Sequence, residues 1–346
     1  MQYIITVDGG TSNTRAYLWE GEEGENFRAQ NARLMQGSSS PIGVQKTAED
    51  GNNNALRLAV GRMLTELLNA AKLEEENISA VYVSGMLTSN VGLYELPHLT
   101  APALLRDFSD GIYETILDEI CREPIRFIPG LKNMNSDQVT LENLTDMDMM
   151  RGEETETLAL IDELKSDTGM ILILPGSHTK VVSVNEKGQI TGCLTSMTGE
   201  LLQLLTVHSI VADAVKRSFL MDGYLSEYLL AGCRACMEAG SFGRGAFLTR
   251  LNSTFITKGQ RENASFLLGA VLANDIMAIK NSRLTKDMKD AKVLVSGKEP
   301  LAGALETLLK RVGGYPQATL YHPKTEGPLS GRGALLIHED RERNSK

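Results

Sequence analysis

Two stretches of the chain share one pattern of apolar and polar positions. In the first, the apolar run of residues 3–8 ends at Asp8, a turn of small polar residues follows, and a second apolar run occupies residues 14–19. Apolar runs of this length, bounded by glycine, serine and asparagine, predict two strands joined by a turn. A third strand is predicted near residues 27–35.

A long amphipathic helix is predicted after these strands. Across residues 56–71, apolar residues recur at i, i+3, i+4 and i+7, which places them on one face of a helix. Short apolar runs at 80–84 and 125–128 predict two further strands. The first half therefore has the pattern of a βββαβαβ-like block.

The second half begins in the same way at Met170. The segment MILILPGSHTKVVSVNEKG can be laid over YIITVDGGTSNTRAYLWEG, with Pro175 in the place of Asp8. Further predicted elements are a strand at 189–197, helices at 199–216, 262–279 and 301–312, a strand at 291–297 and a terminal helix from Ser330. A repeated unit of this kind implies two similar domains.

The predicted fold class is α/β, with two duplicated ribonuclease-H-like domains. This actin-like ATPase fold is shared by sugar kinases, actin and heat-shock ATPases, so it does not by itself give a function. We expect an N-terminal domain at 1–165 and a C-terminal domain at 166–346, with an insertion at about 217–258. The active site is expected in an interdomain cleft.

Charge narrows the range of partners. The 346-residue chain has a formal net charge of −9, which argues against binding to nucleic acid or an anionic membrane, because both need a positive face. The N-terminus reaches Asp8 too soon for a secretory signal, and no apolar run approaches a membrane span. We expect a cytoplasmic protein that binds anionic ligands at a local site.

The four cysteines are too few for a disulfide framework. Cys233 and Cys236 form a C-x-x-C that could belong to a redox or zinc site, but no second pair or nearby histidine pair completes a tetrahedral set. Their segment has helical apolar spacing, so we predict that both side chains pack in the core.

The first turn has the composition of a phosphate-binding loop. Gly9 and Gly10 allow backbone N–H groups to approach an anion closely. Side-chain donors are added by Thr11, Ser12, Asn13 and Thr14. Asp8, at the strand end, is placed to bind Mg²⁺. The alternative is a plain hairpin in which Asp8 caps its own turn.

The second turn lacks the carboxylate and supplies positive charge. Its candidate residues are Gly176, Ser177, His178, Thr179 and Lys180. A triphosphate bound by both turns would meet a metal ligand at one and a cation at the other. The alternatives are an exposed strand cation for Lys180 and a satisfied turn histidine for His178. Gly297, between a strand and a helix, is a further candidate for nucleotide binding.

Two other stretches carry candidate chemistry. Gly152 allows a sharp turn before a helix whose first turn contains Glu153, Glu154 and Glu156. Such carboxylates stabilise a helix N-terminus, yet Glu153 or Glu154 could instead accept the proton of a substrate hydroxyl. The residues alone do not decide between these two. The strand-to-loop stretch of residues 81–103 offers neutral donors suited to a polyhydroxylated ligand, among them Ser89, Asn90 and the backbone at Gly92.

Six motifs occur in order along most of residues 3–300. They are D-G-G-T-S-N-x-R at 8–15, S-G-M-x-x-S-N-V-G at 84–92, I-P-G-L at 128–131, M-R-G-E-E-T at 150–155, P-G-[ST]-H-x-K at 175–180 and M-T-G-E-L at 197–201. Together they resemble the 2-keto-3-deoxygalactonate kinase (2-dehydro-3-deoxygalactonokinase) family of sugar-acid kinases. The resemblance implies ATP- and Mg²⁺-dependent phosphorylation of the 6-hydroxyl of 2-dehydro-3-deoxy-D-galactonate, giving the 6-phosphate, in D-galactonate breakdown.

The resemblance also implies roles for individual residues. Asp8 is the implied metal residue, and Glu154, with Glu153 as the alternative, is the implied base. The resemblance implies that Gly176–Lys180 form the second phosphate turn, and Gly199, in the M-T-G-E-L motif, is a further candidate for ATP binding. Gly297 is a candidate from its position alone, with an ordinary strand-to-helix turn as the alternative. The implied sugar-acid residues of the first domain are Arg15 and Arg151 for the carboxylate and Ser89, Asn90 and Gly92 for the hydroxyls.

Two stretches, 132–149 and 217–258, do not match the family pattern. The choice between epimeric sugar acids therefore stays open. Kinases for 2-dehydro-3-deoxygluconate or pantothenate, and a non-kinase ATP-binding protein of the same fold, remain alternatives. The sequence leaves the oligomeric state open, with a homodimer as one option.

Overall fold

The computed structural model describes residues 1–218, 223–286, 288 and 290–344. The chain forms two compact units. The first contains Met1–Lys165, Gly188–Gly192 and Pro323–Lys346, and the second contains Ser166–Lys187 and Cys193–His322. The last helix, which was expected in the second domain, therefore belongs to the first unit.

The first unit contains a six-stranded sheet and a small three-stranded sheet. Its strands are β1 (Gln2–Gly9), β2 (Thr14–Gly21), β3 (Arg33–Ser40), β4 (Ile78–Gly85), β5 (Leu99–Thr100), β6 (Tyr113–Leu117), β7 (Cys121–Phe127), β8 (Leu131–Lys132) and β9 (Met149–Met150). Its helices are α1 (Val44–Asp50), α2 (Asn54–Ala71), α3 (Leu105–Asp110), α4 (Glu153–Leu164) and the terminal helix (Leu329–Asn344). Short 3-10 turns occur at Gly24–Asn26, Ala29–Asn31, Glu75–Asn77, Met86–Thr88, Ser136–Gln138 and Leu144–Asp146.

The large sheet has the strand order β3-β2-β1-β4-β7-β6. β1 pairs antiparallel with β2 and parallel with β4, and β4 pairs parallel with β7. This is the ribonuclease-H-like order that the sequence pattern predicts. A long second crossover helix is missing from the described first unit: the short α3 and the antiparallel edge strand β6 connect β4 to β7 instead.

Helices cover both faces of this sheet. On one face, the apolar side of α2 packs against alternate residues of β1 and β2, and the buried set includes Leu56, Val60, Val7 and Leu18. On the other face, Trp19 Nε1 donates to Thr6 Oγ1 (2.8 Å) beneath the terminal helix, and the guanidinium of Arg332 lies over the Trp19 ring at 4.8 Å. The period-2 alternation of the strands thus gives two buried faces.

The terminal helix is fixed by buried polar contacts. The two ring nitrogens of His338 lie 3.0 Å from Gln2 Nε2 and 3.1 Å from Tyr82 Oη. Burial lowers the pKa of His338 to about 3, so the ring is neutral at neutral pH. The ring of Phe27 also packs edge-on against His338, with centroids 4.8 Å apart. This packing draws residues 24–31 into short turns, and β3 consequently begins later than predicted.

The second unit repeats the strand order of the first. Its sheet contains β10 (Met170–Leu174), β11 (Thr179–Val184), β12 (Ile190–Ser196), β13 (Lys292–Val295) and β14 (Thr319–Leu320), and the first three residues of β12 are grouped with the first unit. Its helices are α5 (Thr198–His208), α6 (Ser226–Ala239), α7 (Phe242–Phe255), α8 (Gln260–Asn281), α9 (Arg283–Lys286) and α10 (Leu301–Leu308), with a 3-10 turn at Ala212–Val215 and a π-helical turn at Leu309–Gly313. The order β12-β11-β10-β13-β14 matches the first five strands of the other sheet.

The stretch predicted as an insertion is part of the core of this unit. Apart from residues 219–222, which lie outside the described residues, it consists mainly of α6 and α7. Gly232 of α6 packs on the backbone of Phe266, and Gly269 of α8 packs on the backbone of Leu229, so the two helices cross closely. Small residues at these positions make that approach possible.

The two cysteines of the C-x-x-C are fully buried and free, which confirms that they pack in the core. Burial raises the pKa of Cys233 to about 12, so its thiol is protonated and unreactive at neutral pH. Among the described helices, none combines the length and apolar character needed to cross a membrane.

Candidate active site

The first turn is fastened to the start of α1 by its backbone. Gly10 N donates to Asn13 O (2.8 Å), which closes the turn. Val44 N donates to Gly10 O (3.2 Å) and Gln45 N donates to Thr11 O (2.9 Å). Gly43 lies directly against the same two carbonyls, where a Cβ atom would clash. The side chains of Thr11, Ser12 and Asn13 remain exposed, so the turn presents donors on a fixed backbone.

Asp8 lies near the carboxyl end of β1, where two glycines pack close to it. Its Cα pairs with Arg15 on β2 and with Ser84 on β4. A Cβ on Gly85 would lie 2.7 Å from Asp8 Oδ1, and a Cβ on Gly152 would lie 3.8 Å from it. Both glycines have positive φ, 72° and 114°, which L side chains rarely adopt. The two glycines therefore bring the turn before α4 close to the carboxylate of Asp8.

Several carboxylates share this region. Burial raises the pKa of Asp8 and Glu153 raises it further, whereas Arg15 and a hydrogen bond from Ser330 lower it. Burial also raises the pKa of Glu156 to about 8, with Asp8 and Glu153 adding to the rise and Arg15 opposing it. Three carboxylates and one arginine therefore influence one another at the N-terminus of α4.

Glu156 is the member of this group for which no site role is predicted from the sequence. Helical spacing could have linked Glu156 to Glu153, because residues three apart on a helix are neighbours on its surface. Glu153 and Glu156 have this spacing, whereas Glu154 points elsewhere.

Glu153 and Glu154 have different environments. Glu154 is completely buried, and its two carboxylate oxygens accept the N–H of Gly152 at 2.8 and 2.7 Å. Burial and the charge of Glu153 raise the pKa of Glu154 to about 8. Hydrogen bonds from the backbone of Glu154 and Gly152, and the charge of Arg151, act in the opposite direction and lower this pKa. Glu153 is partly exposed, and its Oε2 accepts the N–H of Arg151 at 3.2 Å. Glu154 thus caps its own helix, while Glu153 lies on the side of Asp8.

Arg151 supports the loop that follows β4. Its Nη1 donates to the carbonyl and hydroxyl oxygens of Thr88 (2.7 and 2.6 Å), and its Nη2 donates to Leu96 O (2.7 Å). Its guanidinium is therefore directed to the protein rather than to an open surface.

Of the other predicted sugar-acid residues, two pack within the protein, as Arg151 does, and two have exposed side chains. Ser89 is buried and donates to Met86 O (2.6 Å), and Gly92 packs against the backbone of Leu87. The side chains of Arg15 and Asn90 are exposed.

The second turn is fastened in the same way as the first. Gly199 packs against the turn so closely that a Cβ atom on it would lie 2.5 Å from Gly176 O and 2.9 Å from Ser177 Cα. Glu200 N donates to Ser177 O (3.0 Å). Gly297, after β13, approaches Pro175 so closely that a Cβ would lie 2.6 Å from its ring. The structure thus brings the predicted Gly199 and Gly297 to the predicted turn.

The polar side chains of this turn contact nearby residues. Lys180 is 8% exposed, and its Nζ donates to Thr195 Oγ1 (2.6 Å). His178 Nε2 lies 2.8 Å from Glu200 Oε2, at the first turn of α5. Thr179 is fully buried. Lys180 thus places a positive charge at the base of the turn.

The strand register corrects the alignment of the two turns. Asp8 pairs with Arg15 across the first hairpin, and Leu174 pairs with Lys180 across the second. The second turn is one residue shorter, so Leu174 rather than Pro175 occupies the position of Asp8. Lys180 occupies the position of Arg15. Each hairpin therefore has a basic residue, Arg15 or Lys180, at this register position. The residue that pairs with it is a carboxylate, Asp8, in the first hairpin and Leu174 in the second.

The fold and the two fastened turns define an actin-like ATPase architecture, and comparisons with known proteins agree. A crystal structure of a protein from Sinorhizobium meliloti, described as a candidate 2-dehydro-3-deoxygalactonokinase, superposes with a TM-score of 0.71 at 20% identity and covers 97% of both chains. At this identity the likeness shows the fold alone.

Sequence comparison gives the family. The 2-dehydro-3-deoxygalactonokinase of Escherichia coli (strain K12) is 29% identical over 277 residues, which are 80% of each chain. A Rhizobium meliloti (strain 1021) protein named as a candidate enzyme of the same kind is 25% identical over 213 residues, 62% of this chain and 59% of the relative. The family model of 2-keto-3-deoxy-galactonokinase matches residues 8–326. The chain belongs to this family and is a kinase, which confirms the resemblance drawn from the six motifs.

Proposed function

We propose that the protein transfers the γ-phosphoryl group of ATP to the 6-hydroxyl of 2-dehydro-3-deoxy-D-galactonate. The observation that carries this proposal is the family match over residues 8–326, which runs from Asp8 through α4 and the second turn. Phosphoryl transfer requires positioning and charge neutralisation more than covalent participation of the protein. Donor-rich turns, one cation in each hairpin and a cluster of carboxylates are suited to that task.

The two turns are proposed to bind the phosphates of ATP. Backbone N–H groups near Gly10 and Gly176 would donate to phosphate oxygens, as glycine-rich turns commonly do. Lys180 would add a charge-assisted hydrogen bond from a mostly buried position, where low exposure strengthens the interaction. The fastening of each turn to the next helix supports this role, because a fixed donor set needs no reorganisation on binding.

Asp8 is the proposed ligand of Mg²⁺. The mutual repulsion of Asp8, Glu153 and Glu156 fits a divalent cation, whose charge would offset it. Within the described residues, no three His, Cys, Asp or Glu side chains are arranged to bind a metal, so water and phosphate oxygens would complete the set, as is usual for Mg²⁺. When bound, Mg²⁺ would neutralise charge on the transferred group.

Glu153 is the proposed general base. Its side chain is partly exposed and its charge acts on Asp8, so a substrate hydroxyl could reach the Glu153 carboxylate, which would accept the proton as the phosphoryl group is transferred. Glu154 is proposed to stabilise the N-terminus of α4, since its carboxylate is buried on Gly152 N–H. This reverses the preference for Glu154 that the motif position suggested.

Arg15 and Asn90 are the proposed contacts of the sugar acid. Both side chains are exposed, and a guanidinium can bind a carboxylate through two parallel hydrogen bonds. Arg151, with Ser89 and Gly92, is proposed to maintain the loop that carries Asn90, because its donors already bind Thr88 and Leu96.

The direct test is an ADP-release assay with ATP, Mg²⁺ and a panel of acceptors. The panel contains 2-dehydro-3-deoxygalactonate, its gluconate epimer and pantothenate, and phosphorylation at C6 is verified by mass and NMR spectroscopy. We expect the galactonate derivative to give the highest kcat/KM. A higher value for another acceptor would contradict the proposed substrate, and ADP release that does not depend on any acceptor of the panel would contradict sugar-acid kinase activity.

A further inference from the structure

A buried carboxylate lies in the second unit that the proposed chemistry does not use. Asp275, on α8, is 2% exposed. Ser196 Oγ donates to its Oδ1 at 2.5 Å, and Thr198 Oγ1 lies 2.8 Å from Oδ2 and 3.0 Å from Oδ1. Placing a carboxylate in the interior is costly unless its hydrogen bonds are made. Burial raises the pKa of Asp275 to about 6, while the two hydroxyl donors lower it.

The two hydroxyl donors stand on either side of the junction between β12 and α5. Ser196 is the last residue of β12, and Thr198 is the first residue of α5. Asp275 therefore connects the end of the strand and the start of the helix to one point on α8. The junction has little freedom to move while both bonds are made.

This junction contacts the second turn on two sides. Immediately after Thr198, Gly199 packs against the backbone of Gly176, and Glu200 N donates to Ser177 O (3.0 Å). Immediately before Ser196, Thr195 Oγ1 accepts the hydrogen bond of Lys180 Nζ (2.6 Å). Residues 195–200 thus determine where the turn backbone and the ammonium group of Lys180 lie.

The first unit fastens the equivalent junction differently. There, Thr14 Oγ1 donates to Ile42 O (2.8 Å), next to Gly43, which packs on the first turn. That contact joins a side chain to a neutral carbonyl. The second unit instead uses an ionisable group from a separate helix, so its turn depends on α8.

We infer that Asp275 is a positioning residue for the phosphates of ATP, acting through residues 195–200 on the turn of Gly176 and Ser177 and on Lys180. This inference rests on the proposed function, which assigns that turn to ATP. It adds a residue about a hundred positions distant in sequence, on a helix that contains none of the proposed binding residues. Asp275 itself touches neither ATP nor the sugar acid.

The test compares Asp275→Asn, Thr198→Val and Thr198→Ser. Each variant is assayed with ATP varied at saturating sugar acid and with sugar acid varied at saturating ATP, and binding of a non-hydrolysable ATP analogue is measured by calorimetry. We expect the KM for ATP and the dissociation constant of the analogue to rise about tenfold in Asp275→Asn and Thr198→Val, the size expected for losing a hydrogen bond to a charged group. The KM for the sugar acid should stay unchanged, and Thr198→Ser should restore wild-type values.

Ser265→Ala is the matched control. Ser265 lies on the same helix, is fully buried and donates to Arg261 O (2.7 Å), away from the turn. We expect it to lower the unfolding temperature without changing the KM for ATP. If Asp275→Asn and Thr198→Val behave like this control, Asp275 is structural only and the inference is overturned.

Failure of the inference and failure of the proposed function give different results. An unchanged affinity for the analogue in Asp275→Asn, with an active wild-type enzyme, overturns the inference alone. A wild-type protein that binds the analogue but phosphorylates no sugar acid overturns the proposed function, and the binding data still decide the inference. A wild-type protein that does not bind the analogue overturns both.

Discussion

The two turns show how one backbone arrangement supports two different charge patterns. In both, a glycine at the start of the next helix, Gly43 or Gly199, packs against the carbonyl groups of the turn. In both, a glycine at or just beyond the end of the neighbouring parallel strand makes a close contact: Gly85 packs on Gly9 and Asp8, and Gly297 packs on Pro175. The duplicated parts are thus the contacts that fix the backbone.

The difference lies in a few side chains. The first turn has Asp8 where the second has Leu174, and carboxylates of α4 surround Asp8, whereas Lys180 is the buried charge of the second turn. A side chain at a strand end can change without moving the backbone, so charge could diverge while the turn was retained. We interpret the first turn as the metal-binding one and the second as the one that supplies fixed positive charge.

The largest expected effect concerns the base beside the first turn. We predict that Glu153→Gln lowers kcat by about two to four powers of ten, the usual contribution of a general base, with little change in ATP affinity. Glu154→Gln should lower kcat less, because that carboxylate is buried on Gly152 N–H. Steady-state and binding measurements on both variants check this. The opposite ranking would assign the base to Glu154.

The next effect compares the two cations at equivalent register positions. We predict that Lys180→Met weakens ATP binding by about 10- to 100-fold, as expected when a hydrogen bond from a charged group is lost. Arg15→Met should leave ATP affinity near normal and raise the KM for the sugar acid instead. Titrations of both ligands against both variants provide the measurement. If Arg15→Met weakened ATP binding as strongly as Lys180→Met, the two cations would share one role.

A smaller effect is expected at the shared glycines. Gly43→Ala and Gly199→Ala each place a methyl group against carbonyls of their turn, which must then shift. We predict a rise of about three- to tenfold in the KM for ATP for both, because a displaced turn loses donor geometry. Gly243→Ala is the control, since a Cβ there meets open space. An unchanged KM for ATP in both Gly43→Ala and Gly199→Ala would contradict the proposal that these glycine contacts hold the turns in position for ATP.

The smallest effect concerns the stability of the region around the first turn, where the carboxylates of Asp8, Glu153 and Glu156 repel one another. The folded-state pKa of Glu156 is raised to about 8 from an ordinary 4.5. Its ionisation is therefore unfavourable in the folded protein, and the free energy of unfolding falls as pH rises from the ordinary value through the raised one.

Glu156→Gln should thus match the wild type near pH 4.5 and exceed its unfolding temperature by a few degrees at pH 8.5. Thermal unfolding across this range without Mg²⁺ is the measurement. A constant difference at all pH values would mean that Glu156 ionises normally.

Much of the fold could be predicted because local patterns specify it. The strands flanking each turn, the amphipathic α2 and the start of α4 follow from apolar spacing and glycine positions. The unit to which the terminal helix belongs could not be predicted, because contacts such as that of His338 with Gln2 join the two ends of the chain.

Composition singled out Asp8, both turns, Gly199 and Gly297 as candidates, and their roles stay predictions. The shift from Pro175 to Leu174 could not be predicted, because it depends on strand register, which a turn shorter by one residue changes. The different hydrogen-bond partners and exposure of Glu153 and Glu154 depend on how the helix begins. Asp275 gave no signal, because its partners are distant in sequence.

The division of roles between the two turns is tested most directly by ATP affinity with and without Mg²⁺. Calorimetry would measure a non-hydrolysable ATP analogue, in Mg²⁺ or in EDTA, on the wild type, Asp8→Asn and Lys180→Met. We predict that Asp8→Asn abolishes the gain in affinity that Mg²⁺ gives, whereas Lys180→Met weakens binding equally in both conditions and keeps that gain. A full Mg²⁺ gain in Asp8→Asn would contradict the account.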